Sequence, residues 1–234
     1  MPDRIAKVAN RLKVMPTRSP RALIAVAGPP ASGKSTFAAQ LVAHLNQSTH
    51  SAVLVPMDGF HLDNSVLARR GLLARKGAPE TFDVDGLVSA MWRLATEQHL
   101  YLPCFDRGQD RSVAGRIEVN SQHTLAVIEG NYLLCRDAPW NHLRPLWSMS
   151  VFLNEPNHVL FDRLVQRWLD NKHDLRERLR HGRRTTIWPM SHSCAARSTR
   201  LSISSLAARS KSSRAPDRRA RHLITGPVRL LTIA

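Results

Sequence analysis

One octapeptide constrains this chain more than any other feature. Gly28-Pro-Pro-Ala-Ser-Gly33-Lys34-Ser35 satisfies the pattern G-x-x-x-x-G-K-[ST]. The apolar run Ala22–Ala27 leads into it and the helix-like run Ser35–Leu45 leaves it, which is the strand–loop–helix context that gives the pattern meaning. Glycines let the backbone wrap close to an oligophosphate, and successive N–H groups at a helix start face its oxygens. In that setting Lys34 reaches the β- and γ-phosphates of ATP and the Ser35 hydroxyl holds Mg²⁺. Gly28, Ala31, Ser32, Gly33 and Thr36 complete the candidate nucleotide-binding loop. The plainer alternative is a Gly-rich turn between a strand and a helix.

The rest of the chain reads as alternating strands and helices. A short amphipathic helix is predicted before Arg21, with Ile5, Val8 and Leu12 at helical spacing. Strands are predicted at Ala22–Ala27, Ala52–Met57, Thr124–Ile128 and Met149–Leu153. Helices are predicted over Val66–Leu73, after a cap at Asp83 or Asp85, and from Pro156 onward, where Leu160, Phe161, Leu164 and Trp168 share a face. Tyr101–Val119 reads as a loop-rich stretch that can hold a β-ribbon. Apolar strands alternating with helices predict an α/β fold in three layers, a parallel sheet with helices on both faces. Ligands of such sheets bind at the carboxyl ends of the strands, where Gly28, Asp58 and Glu129 all fall.

Composition restricts the remaining classes. The 234 residues suffice for one α/β domain with a substantial core. Cys104, Cys135 and Cys194 lack C-x-x-C spacing and read as reduced thiols. Met1–Pro20 lacks the apolar core of a signal peptide, and no apolar run nears the ~18 residues of a membrane span. A cytoplasmic protein without membrane partners is expected. The net charge of +16 is unevenly placed: residues 183–234 hold 11 Lys and Arg against the single acid Asp217, so that stretch alone carries +10.

At the strand ends, Asp58 is placed to accept the proton of an attacking hydroxyl, and Glu129 to orient Mg²⁺ or its waters. Arg163 and Arg167 lie on one stripe of a helix and are candidates to close over the transferring phosphate; paired arginines of this kind also occur as a plain solvated face.

Several stretches together resemble a known family. They are the phosphate loop, Met57-Asp-Gly-Phe-His-Leu-Asp-Asn64, Arg75-Lys-Gly-Ala-Pro-Glu-Thr-Phe-Asp83, Phe105-Asp-Arg107, Ile128-Glu-Gly-Asn-Tyr-Leu-Leu134 and Arg163-Leu-Val-Gln-Arg-Trp168. In order and type they look like the bacterial nucleoside/nucleotide kinases, sometimes labelled fructose transport system kinases. These belong to the uridine kinase, pantothenate kinase and phosphoribulokinase superfamily of P-loop proteins. The resemblance runs from about Arg21 to Asp174. It implies transfer of the γ-phosphate of ATP, with Mg²⁺, to a hydroxyl of a nucleoside, sugar or pantothenate-like small molecule. By position it gives Lys34 and Ser35 the nucleotide and metal, Asp58 the role of base, Glu129 the second acidic motif, and Arg163 and Arg167 the lid. His61, Arg75, Lys76, Asp106 and Arg107 become candidates for the acceptor pocket.

After about Arg180 the resemblance stops, where an Asn-Asp-x-Pro/Ala-Asn stretch and a last strand are expected. The chain instead becomes Ser- and Arg-rich, with nine serines between Ser191 and Ser213. The genetic code offers an explanation. Read one base out of phase, the codons of Arg184–Cys194 permit x-Asn-Asp-Leu-Ala-Asn-Val-Ala-Leu-Val, with the first Ala forced by Trp188 and Pro189. This predicts a domain over residues 1–182 and an off-frame, disordered basic tail over 183–234. It also predicts a sheet that has lost its C-terminal strand, poor solubility and impaired activity. Pairing of Val228–Ile233 at the vacant edge is a lesser expectation. A protein of another class, a nucleotide-binding protein whose tail grips nucleic acid, shares the charge but lacks aromatic residues in the tail beyond Trp188.

Overall fold

The computed structural model describes residues 2–15, 20–47, 51–170 and 229–233. The strands are β1 (Ala22–Ala27), β2 (Ala52–Pro56), β3 (Leu100–Asp106), β4 (Arg111–Val119), β5 (Leu125–Gly130), β6 (Met149–Leu153) and β7 (Arg229–Ile233). The helices are α1 (Pro2–Lys13), α2 (Lys34–Asn46), α3 (Asn64–Arg69), α4 (Val84–Thr96) and α5 (Asn157–Asp170). Five strands form a sheet in the order β2-β5-β1-β6-β7, every neighbouring pair parallel. Strands β3 and β4 form a separate antiparallel hairpin.

Alternation along β1 divides its side chains between two cores. Ala22, Ile24 and Val26 meet Ile5, Val8 and Leu12 of α1 and Phe37 and Leu41 of α2. Leu23, Ala25 and Ala27 face Leu87, Met91 and Leu94 of α4, with Leu143 and Trp147 beside them. Every residue of β1 is buried, as a central parallel strand covered on both sides requires. Register then aligns the exits: Ala27 lies opposite Gly130, and Pro56 opposite Glu129. The phosphate loop, Asp58 and Glu129 therefore leave the sheet at one edge.

Arg21 secures the opposite end. Its guanidinium, 2 % exposed, donates to the carbonyls of Leu94, Glu97, Gln98, Asn120 and His123. It caps the end of α4 and joins it to the loop that enters β5. Burial draws its pKa below the ordinary arginine value.

The structure departs from expectation at several places. The edge beyond β6 is occupied: Arg229–Ile233 pairs with Met149–Leu153, Ile233 is 5 % exposed, and Asn154 N donates to Ile233 O at 2.9 Å. The expected loss of a C-terminal strand is thereby corrected, because an alternating apolar segment with β-branched residues satisfies the unpaired edge whatever its origin. Residues 183–228 of the expected tail lie outside the described residues. Tyr101–Val119 is a regular hairpin with one irregularity between Leu102 and Cys104. The helix expected at Val66–Leu73 begins earlier, because Asp63 accepts from Ser65 N and caps it, and Gly71 at φ +67° turns the chain out. Phe161 of α5 is 59 % exposed, so the expected apolar face is incompletely covered. Cys104 is a free thiol, as expected, and Cys194 lies outside the described residues. Among the described residues no helix is long and apolar enough to cross a membrane.

Candidate active site

The phosphate loop takes its shape from steric limits. Gly28 has no room for a side chain: a Cβ there would sit 2.7 Å from Ser32 Oγ and 3.0 Å from the Leu153 carbonyl. Ala31 and Gly33 adopt positive φ, 64° and 80°, and Phe37 N donates to Gly33 O at 2.9 Å to start α2. Such left-handed steps turn successive N–H groups inward to make an anion cradle. Ser32 is buried, and its hydroxyl has no hydrogen-bond partner. A cradle that a Cβ would fill and an orphaned buried hydroxyl in its wall fit the polyphosphate of a nucleotide. Lys34 and Ser35 occupy the first turn of α2, with Thr36 exposed beside them.

Two carboxylates face this loop. Glu129, 5 % exposed at the end of β5, lies beside the Ser35 hydroxyl. Burial pushes its pKa above the ordinary carboxylate value and Asp58 adds to that, while Lys34, Ser35 and Arg107 act against it. Asp58 lies in a 3-10 turn, Met57–Phe60, directly after β2. Gly130 permits this approach, since a Cβ there would meet Met57 Cβ at 2.5 Å. Ser35 and Glu129 are thus brought together as the expected metal pair. A hydroxyl and one carboxylate are too few to cage an ion, which suits Mg²⁺, an ion that keeps its waters and shares phosphate oxygens.

On the nucleotide side, Arg163 of α5 donates to the Ala31 carbonyl at 3.3 Å. Arg167 lies one turn further along the same helix.

Around the Asp58 turn, His61 Nδ1 lies 2.8 Å from the Asp58 carbonyl, and its ring packs against Phe82 and Phe105 at centroid distances of 4.0 and 4.8 Å. Burial lowers the His61 pKa, opposed by the Asp58 carbonyl and carboxylate. Lys76 donates to Asn64 Oδ1 and the Asp110 carbonyl, both at 2.7 Å, and lies 4.9 Å from the Phe105 ring centroid. Arg107 reaches within 3.6 Å of Asp58 Oδ2. Tyr132 donates to the Gly77 carbonyl at 2.7 Å, and burial pushes its phenol up to about 12. Arg75 instead pairs with Glu80, and Asp106 with Arg116 and the turn N–H of Gln109. Both sit in local pairs at the margin of this cluster.

Sequence reasoning missed Phe82, Asn64, Asp110 and Tyr132. Phe82, Asn64 and Tyr132 lie within the quoted motif stretches. Asp110 carries no such signal, because its place depends on the hairpin turn. A cleft of about 470 Å³ borders the same region, lined by Arg70, Glu80, Asp83, Asp85, Phe82 and Trp140 among others. None of Lys34, Ser35, Asp58 or Glu129 lines it; these four lie at the strand ends and not in this cleft.

The chain is similar in sequence and fold to known proteins. A profile of the phosphoribulokinase / uridine kinase family matches residues 23–178. A candidate uridine kinase of Schizosaccharomyces pombe is 35% identical over 173 residues, 68% of this chain and 72% of that protein. The pantothenate kinase of Shewanella oneidensis is 34% identical over 163 residues, 66% of this chain and 51% of the kinase. The chain also spans 62% of the length of an uncharacterised Escherichia coli protein to which it is 34% identical. Among solved structures, a candidate fructose transport system kinase from Silicibacter superposes with a TM-score of 0.68 at 44% identity, covering 72% of this chain and 82% of that one. The chain therefore belongs to the phosphoribulokinase / uridine kinase family of P-loop kinases.

Proposed function

We propose that this chain transfers the γ-phosphate of ATP to a hydroxyl of a small molecule, a nucleoside, sugar or pantothenate-like compound, with Mg²⁺ as cofactor. The observation that carries this is the meeting of Ser35, Lys34, Asp58 and Glu129 at the ends of β1, β2 and β5. Lys34 and the loop N–H groups hold and neutralise the β- and γ-phosphates. Bound between Ser35 and Glu129, Mg²⁺ would supply charge neutralisation to the phosphate oxygens. Asp58 accepts the hydroxyl proton as the new oxygen–phosphorus bond forms and the bond to the ADP oxygen breaks. Arg163 and Arg167 close over the phosphates from α5, and His61, Arg75, Lys76, Asp106 and Arg107 line the acceptor side. A cytoplasmic setting matches the use of ATP.

The test is Mg²⁺-dependent ATP binding by wild type and Lys34→Ala, followed by ADP release with a panel of hydroxyl acceptors. Lys34→Ala should weaken binding by about 100-fold or more, in line with losing a charged phosphate contact. Equal binding by both proteins rejects the kinase reading.

Residues 183–234 belong to this reading as off-frame sequence that lacks the Asn-Asp-x-x-Asn stretch of the resemblance, with activity impaired as a result. Resequencing the gene across the codons for Asp170–Cys194 tests it. A gene without the out-of-phase codons, or full turnover by the chain as written, rejects it.

A further inference from the structure

Helix α5 carries Arg163 to the phosphate loop with little packing of its own. None of its described side chains, residues 157–166, is buried. A helix without a buried face takes its direction from the points that fasten it. One such point is Arg163, whose Nη1 donates to the Ala31 carbonyl at 3.3 Å and lies 4.0 Å from where a Gly33 Cβ would sit.

The base of α5 is fastened from both sides. The chain leaves β6 at Leu153, whose carbonyl lies 3.0 Å from where a Gly28 Cβ would sit, so the connection starts against the phosphate loop. Asn154 N donates to Ile233 O of β7 at 2.9 Å. Glu155, on a side chain 11% exposed, accepts from Arg4 Nη1 of α1 at 2.8 Å. Pro156 O then accepts from Leu160 N and opens the helix. Arg4 stands on a fixed support, because Ile5, Val8, Ala9 and Leu12 of α1 share a buried core with Met149, Val151 and Leu153 of β6.

Small changes at this base are magnified at the loop. An α-helix rises about 1.5 Å per residue, which puts Arg163 about 10 Å beyond Pro156. A tilt of about 10° at the base moves its guanidinium by about 2 Å, more than a hydrogen bond tolerates.

We propose that Arg4 and Glu155 are positioning residues for phosphoryl transfer. Their ion pair sets the angle at which α5 leaves the sheet and so holds Arg163 over the loop that takes the transferring phosphate. The inference rests on the kinase reading above. Neither residue touches the nucleotide, and both act through Arg163.

Calorimetric titration with MgATP and with MgADP tests this on wild type, Arg4→Gln, Arg4→Lys, Glu155→Gln and Arg163→Gln, and on Arg4→Gln and Glu155→Gln each combined with Arg163→Gln. Thermal unfolding checks that every variant is folded at the temperature used. Arg4→Gln and Glu155→Gln should weaken MgATP binding by about 3–10-fold, the scale of a partly buried ion pair acting on one contact. MgADP, which lacks the phosphate that Arg163 faces, should be bound as by wild type. Arg4→Lys keeps the charge and should stay near wild type. In the Arg163→Gln background, itself weakened for MgATP, neither substitution should cause further loss.

Unchanged MgATP affinity in the single variants, losses that add to that of Arg163→Gln, equal weakening of both nucleotides, or Arg4→Lys as weak as Arg4→Gln would overturn the inference. With Lys34-dependent MgATP binding intact, any of these results leaves the kinase reading standing. Equal MgATP binding by wild type and Lys34→Ala removes both.

Discussion

Glu129 is a buried carboxylate whose charge has consequences for stability and metal binding. Its folded pKa lies above the ordinary value of 4.5, so between that value and the raised one the folded chain keeps a proton that the unfolded chain has released. Stability therefore falls as pH rises through this window, and below it the penalty is absent. Glu129→Gln should remove that pH dependence in urea unfolding and raise the Mg²⁺ concentration needed for ATP turnover. His61 has the opposite sign: with a folded pKa below 6.5, its contribution is full above 6.5 and lost as pH falls through the folded value. Arg21 is a costly residue to remove, because it is buried and serves five carbonyls. Arg21→Met leaves the buried carbonyls it serves without a donor, and urea denaturation should show a loss of about 3 kcal/mol or more. Gly130→Ala should cost about 1–3 kcal/mol by overpacking against Met57, seen as a lower Tm.

Among the elements, the β3–β4 hairpin and β7 have the clearest mechanical roles. The hairpin is held over the strand ends by the Asn64–Lys76–Asp110 knot, so Lys76→Met should loosen the turn that carries Arg107. The expected outcome is a rise in acceptor KM with ATP affinity unchanged, measured by steady-state kinetics and nucleotide titration. Strand β7 covers the edge of β6 and buries Ile233 with Leu231 packed against the α1 and α2 core. Deleting residues 229–234 should cost about 2–3 kcal/mol, the value of one well-buried aliphatic residue. The bared strand should also promote aggregation, which light scattering at rising protein concentration would detect.

The whole molecule combines a nearly balanced domain with a concentrated positive charge. Residues 183–234 carry +10 of the net +16. Nucleic acid retained by that stretch should be released steeply between about 50 and 200 mM salt, without sequence preference. Release of this kind, with MgATP binding unchanged, is what a kinase domain with an adventitious tail predicts. A nucleic-acid-binding protein would show the same steep salt dependence, and its binding would vanish on deleting residues 183–234. A kinase would keep Mg²⁺-dependent ATP binding after that deletion and lose it on Lys34→Ala.

Much of this arrangement was legible in the chain alone. The phosphate loop, β1 and the convergence of Gly28, Asp58 and Glu129 follow from local rules: an apolar run, a glycine turn, and the tendency of parallel strands to bind ligands at their carboxyl ends. Those signals act over a few residues, so no partner had to be known. The hairpin reads in sequence as a loop-rich stretch able to hold a β-ribbon, without strand bounds, because half-exposed alternation is weak. Strand β7 reads as a lesser expectation because an edge strand is chosen by the vacancy beside β6. Arg21, Asp110 and Tyr132 were invisible for a related reason. Arg21 and Tyr132 donate to carbonyls, and Asp110 accepts from the side chains of Asn64 and Lys76, all tens of residues away. Only the folded chain decides which distant groups will meet.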